Sequence, residues 1–186
     1  MEIKEKLLQA AVPHVVFDGW SRDCLDAAAR DAGLSAEAVK TACPRGVIDL
    51  AAFYHSQGDV QMASAFAAAD TSALRYSEKV AELVWLRLQA VDKEVVRRGM
   101  ALFSLPIHAS EGATLIWSTA DAIWRTLGDT SDDINWYSKR VMLAGVFGSA
   151  VLYWLGDASE GDADTRTFID RRIADVMQFE KFKGQV

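Results

Sequence analysis

The chain has 186 residues, 51% of them hydrophobic, with 20 Lys and Arg against 26 Asp and Glu for a net charge of −6. That length suits one domain, or one with a small appendage, and can bury a core without staples. The acidic balance argues against a general nucleic-acid binder, which needs a basic face. Only Cys24 and Cys43 could bond through sulfur, and no C-x-x-C occurs. They read as small buried thiols in a reducing compartment. The charged start MEIKEKLL has no apolar stretch of the kind that marks a secretion signal. Scarce proline and alanine-rich periodic text predict an all-α fold.

Ile3, Leu7, Ala10, Ala11 and His14 fall at helical spacing, so a first helix starts near Glu2, and Pro13 is expected to bend or restart it. Ser21 caps a second helix with Leu25, Ala28, Ala29 and Ala32 on one face, and Gly33 ends it. Ser35 caps a third, short helix that Pro44 stops. This layout is a helix-turn-helix, the arrangement that opens TetR-type regulators. Its reading helix, SAEAVKTAC, lacks Arg, Asn and Gln to read bases. Residues 1–60 hold six Lys/Arg and nine Asp/Glu, a balance of −3, where a working headpiece is basic. Residues 1–45 are therefore expected to form a degenerate helix-turn-helix headpiece with no specific nucleic-acid partner. Residues 46–186 are expected to form a helical ligand-binding bundle, the two making one cooperative domain.

Residues 45–70 read as a longer helical segment that Gly58 could break, with His55 solvated or hydrogen-bonded. Ala81, Val84, Trp85, Leu88 and Val91 form an apolar helical stripe. A short helix covers 95–103. Ala113, Ile116, Trp117, Ala120, Ile123, Trp124 and Leu127 make the cleanest stripe, stopped by Gly128. These tryptophans either pack a core or line an apolar cavity between helices, where bundle proteins hold ligands. The cavity reading names Trp85, Leu88, Phe103, Ile116, Trp117, Ala120, Phe147 and Ala150.

Residues 132–157 organise the rest. From Val141 to Gly156 no residue is charged, which predicts a core helix apolar all round. The run falls short of the roughly 20 residues a bilayer span needs. Thr130, Ser131 and Asp132 are its N-cap candidates. Ala144, Gly145, Gly148 and Ser149 are small enough for another helix, or a ligand, to approach the backbone. Trp136 and Arg140 share a face one turn apart, and an Arg is rarely buried unpaired. That face is expected near the surface, with Trp136 either a partner's anchor or a plug at the end of the core. A last helix starts at Asp164 or Thr165, with Phe168, Ile169, Ile173, Val176 and Met177 docking it.

No catalytic or phosphate-binding signature occurs, no Glu-x-x-His pair for a di-iron site, and His14, His55 and His108 lie far apart. No enzyme activity, catalytic residue, metal site or cofactor is expected.

Three stretches carry a resemblance: FDGWS at 17–21, PRGVIDLAAF at 44–53 and SDDINWYSKRVMLAGVFGSAVLYWL at 131–155. The Asn-Trp-Tyr text, the following cations, the apolar helix and an Asp-x-Ser loop at Asp157 and Ser159 are similar to the accessory lipid-binding proteins of ubiquinone biosynthesis. These have a TetR-like fold and occur in mitochondria and related bacteria. The resemblance covers the chain to about residue 180. It implies a non-catalytic protein that binds an isoprenoid lipid and presents a quinone intermediate to a di-iron demethoxy-ubiquinone hydroxylase. It implies a partner-binding patch at Asn135, Trp136, Tyr137 and Arg140. A homodimer with peripheral membrane contact is expected, in the bacterial cytoplasm at the inner membrane. The family carries a further amphipathic C-terminal helix that touches the membrane; this sequence stops at Val186. The alternative is a TetR-type ligand-responsive repressor, against which the acidic headpiece speaks.

Overall fold

The structure is a computed structural model that describes residues 2–130 and 134–183, with backbone only for 134, 135 and 179–183. Among the described residues it is all helix and turn: α1 Glu2–Asp18, α2 Arg22–Asp31, α3 Ala36–Ala42, α4 Val47–Ala68, α5 Tyr76–Gln89, α6 Lys93–Phe103, α7 Ala109–Thr126, α8 Ile134–Gly156 and α9 Ala163–Lys183. The fold class follows the sequence expectation.

The chain forms two compact units, 1–57 with 91–113, and 58–90 with 114–186. In the first unit α1 packs on α2, α3 and α6, around Leu7, Ala11, Val15, Cys24, Leu50 and Val95. The Ser21 hydroxyl accepts from the Cys24 amide and the Ser35 hydroxyl from the Ala38 amide, so both caps form as read. Gly33 turns the chain at a φ of +62°, a conformation other residues adopt only with strain. Both cysteines are free and buried. Burial pushes the Cys24 thiol up to about 11, which keeps it protonated and unreactive near neutral pH.

Two expected interruptions do not occur. α1 continues as one helix through Pro13 and does not restart there. The ring deprives the Gln9 carbonyl of its usual partner, but Gln9 and Pro13 both lie on the exposed face, where the carbonyl is open to solvent rather than stranded in the core. α4 likewise runs through Gly58, whose missing side chain makes room for Arg87.

In the second unit α9 packs on α5 and on α8. Its N-terminus is tied by Asp157, which accepts from the Ser159 amide and hydroxyl and from the Thr165 amide and hydroxyl. Those hydrogen bonds, from Thr165 above all, hold the Asp157 carboxyl well below the usual range. The Asp-x-Ser text is thus the knot between α8 and α9.

α8 departs from the expectation of a helix buried all round. One face is buried through Leu143, Val146, Phe147, Ala150, Val151 and Trp154, yet Val141 is 59% and Leu152 62% exposed. A Cβ added at Gly145 or Gly148 would meet nothing within 4 Å. Residues 141, 145, 148 and 152 share one helical face, so an uncharged stripe lies open along α8. Of its N-cap candidates, Ser131 and Asp132 lie outside the described residues.

Candidate functional site

The aromatic and cationic side chains at the start of α8 meet α7 at Trp117, Asp121 and Trp124. Trp136 is half-buried and Tyr137 59% exposed. Neighbours on a helix point about 100° apart, yet the two rings are large enough to meet edge to face at 4.7 Å. Both touch Trp117 of α7, at 5.8 and 6.4 Å. The result is a three-ring cluster open to solvent at Tyr137, with two tilted ring pairs and one edge-to-face pair of the kind aromatic quadrupoles favour.

Arg140 corrects the sequence expectation. It is not at the surface: its side chain is 2% exposed. Its Nε donates to Asp121 at 2.7 Å, its Nη1 to Asp129 at 3.3 Å and to the Trp136 carbonyl at 3.2 Å. The guanidinium lies 4.1 Å from the centre of the Trp136 ring. An Arg is buried when carboxylates satisfy it, and here α7 and the turn after it supply two. Lys139 makes the parallel arrangement. Its ammonium donates to Asp129 at 2.8 Å and sits 5.5 Å from the Trp124 ring, on which Tyr76 stacks. Two consecutive cations of α8 thus each cover a tryptophan, and both hold Asp129. In the Asn-Trp-Tyr-Ser-Lys-Arg run, Lys139 and Arg140 fasten the helix inward and Tyr137 points out. The Asn135 side chain lies outside the described residues.

Among the residues read as a cavity lining, Leu88, Ala120, Phe147 and Ala150 are buried in the second unit, and Trp85, Ile116 and Trp117 are half-buried there. Phe103 belongs to the first unit, packed against its core and against Gly112. The other seven belong to the second unit, and within the first unit α6 packs on α1.

A polar cluster that sequence reading missed lies in the second unit. Arg87 is 3% exposed, its Nε donating to Asp59 at 2.6 Å, and Thr119 donates to the same carboxylate oxygen at 2.8 Å. The guanidinium lies 5.7 Å from the Phe147 ring. The signal was present in the text: Arg87 falls at i+3 from Val84 and i+7 from Val80, on the apolar stripe itself. Among the described residues no group of three or more His, Cys, Asp or Glu could hold a metal ion, and no helix is long and apolar enough to cross a membrane.

Comparisons with known proteins bear out the family resemblance and the fold. The family model described as COQ9 matches residues 109–180, the segment that holds the aromatic cluster, α8 and most of α9. The "Probable ubiquinone biosynthesis protein coq9, mitochondrial" of Dictyostelium discoideum is 26% identical over 100% of this chain and 63% of its own length. The "Ubiquinone biosynthesis protein COQ9, mitochondrial" of Bos taurus is 25% identical over 100% of this chain and 60% of its own, and that of Drosophila melanogaster 28% over 98% and 58%. The chain therefore spans about three fifths of the length of these relatives. The crystal structure of a TetR transcriptional regulator from Nitrosomonas europaea matches with a TM-score of 0.72, covering 94% of this chain and 97% of that one at 18% identity. At that identity the likeness shows the TetR-like fold alone. The expected bacterial cytoplasmic location is overturned: these relatives are named as mitochondrial proteins of eukaryotes.

Proposed function

We propose, from the kinship of this chain with the COQ9 ubiquinone biosynthesis proteins, that it serves the same biosynthesis as a non-catalytic lipid-binding subunit. In this reading the helices bearing Trp85, Leu88, Ile116, Trp117, Ala120, Phe147 and Ala150 hold an isoprenoid quinone intermediate. The Trp136–Tyr137 surface receives the di-iron hydroxylase that modifies it. The observation that carries the reading is the ring cluster of Trp117, Trp136 and Tyr137, which lies inside the matched segment and opens to solvent at Tyr137. Exposed aromatics on a rigid, cross-braced support are the composition of an interface hot spot. Tyr137 is the better probe than Trp136, because Trp136 also carries the buried Arg140 guanidinium.

Tyr137→Asp should leave melting nearly unchanged and weaken hydroxylase binding by about 2 kcal/mol or more, measured by calorimetric titration. Mass spectrometry of an organic extract of the purified chain should show prenylated lipid. A chain that yields none, and takes up no decyl-quinone analogue, would sink the lipid assignment.

The open stripe of α8 supports a homodimer. A second copy of the same uncharged face is self-complementary about a two-fold axis, and Gly145 and Gly148 allow close backbone approach. Gly145→Arg should convert the dimer to monomer in analytical ultracentrifugation; an unchanged sedimentation coefficient would reject this face.

A further inference from the structure

The first unit carries a groove unrelated to the α7–α8 site. It lies between α2 and α3 and the turn into α4, with a volume of about 700 Å³. The apolar part of its lining comes from Leu25, Val39 and Cys43, which are buried, and Leu34, which is half-buried. Its rim is cationic in a chain that is acidic overall. Arg22, Arg30, Lys40 and Arg45 line it against a single carboxylate, Asp26. Two of these cations are engaged. Arg45 forks onto Asp49 and Glu111, and Arg22 reaches Asp26 at 3.8 Å. Arg30 and Lys40 are exposed and form no ion pair among the described residues.

An occupant with an apolar length and a negative end matches this mixed lining. α2 has ten residues, so the groove is bounded by a helix only about 15 Å long, the reach of an acyl chain of about twelve carbons. A volume of this size falls within the range of small-molecule sites, and a partner helix would need a longer trough. A nucleic acid would need several cations spaced along a phosphate backbone and no greasy floor. We propose that this groove binds a single-chain anionic amphiphile, a fatty-acid carboxylate, with its head between Arg30 and Lys40 and its chain along Leu25, Leu34 and Val39.

The test uses the whole purified chain, labelled with ¹⁵N, and dodecanoate below its micellar concentration. Amide shifts should fall within residues 22–47. Dodecanol, which has the chain without the charge, should bind at least about tenfold more weakly, and acetate, which has the charge without the chain, should cause no shift. The double variant Arg30→Glu with Lys40→Glu, both exposed and so expected to fold normally by circular dichroism, should lose at least about tenfold in dodecanoate affinity and little for dodecanol. Ala29→Trp, which fills the groove, should weaken both. Equal binding of dodecanol and dodecanoate, an unaffected charge-reversal variant, or shifts confined to residues 114–155 would overturn the proposal. So would duplex DNA shifting the groove amides when dodecanoate does not.

Discussion

Arg140→Met should lower stability by about 3 kcal/mol or more, read as a fall in denaturation midpoint at unchanged slope. Methionine nearly matches the volume of the stem, so little of the loss arises from a cavity. The loss comes from the carboxylates left behind. Asp129 has 5% of its side chain exposed and Asp121 14%, and each loses a charged donor. Lys139 still holds Asp129 and Arg125 still holds the other oxygen of Asp121, which places the effect toward the lower end of the 3–5 kcal/mol typical of a broken buried pair. Adding Asp121→Asn and Asp129→Asn to Arg140→Met should recover part of the loss, because neutral amides tolerate burial better than unpaired carboxylates. If Arg140→Met instead melts like the parent, the guanidinium does not brace the two carboxylates and the inward assignment fails.

Gly58→Ala should destabilise the second unit by about 2 kcal/mol, although a glycine-to-alanine change inside a helix ordinarily stabilises by about 0.5–1 kcal/mol. The sign is the diagnostic. A Cβ at residue 58 would stand 2.5 Å from Arg87 Nη1 and 2.6 Å from its Cζ. The end of an arginine normally swings aside, but this one is buried and fixed by Asp59. Moving it strips a charged partner from a carboxylate that also accepts from Thr119, and an incompletely satisfied buried group costs about 1–3 kcal/mol. In an Arg87→Met background the same substitution meets no guanidinium and should become neutral or stabilising. A double-mutant cycle isolates that coupling. A Gly58→Ala variant that melts higher than the parent would show that Arg87 relocates freely.

The residues that fixed local structure were legible because their physics is local. Ser21 and Ser35 cap whatever helix follows them, and Gly33 and Gly128 end helices in the left-handed conformation, at φ +62° and +74°. The stripe through Ile116, Ala120, Ile123 and Trp124 marks α7 without help from any other segment. The Asn-Trp-Tyr and Asp-x-Ser text carried the resemblance before any coordinates.

What the sequence left open depends on which segments meet. Pro13 and Gly58 read as breaks by intrinsic propensity, a preference of about 1–3 kcal/mol that tertiary context overrides. At Pro13 the freed carbonyl faces outward, and at Gly58 the gap is filled by Arg87. The return of 91–113 to the N-terminal unit, which places Phe103 there, is a contact between residues far apart in sequence. The text shows that α8 carries no charge from Val141 to Gly156, but not that only one face of that run is covered within the chain. For Arg87 and Arg140 the sequence gives the charge alone. Burial became possible only where folding placed Asp59, Asp121 and Asp129 within hydrogen-bond reach, because a guanidinium leaves water only when oxygens replace its hydration.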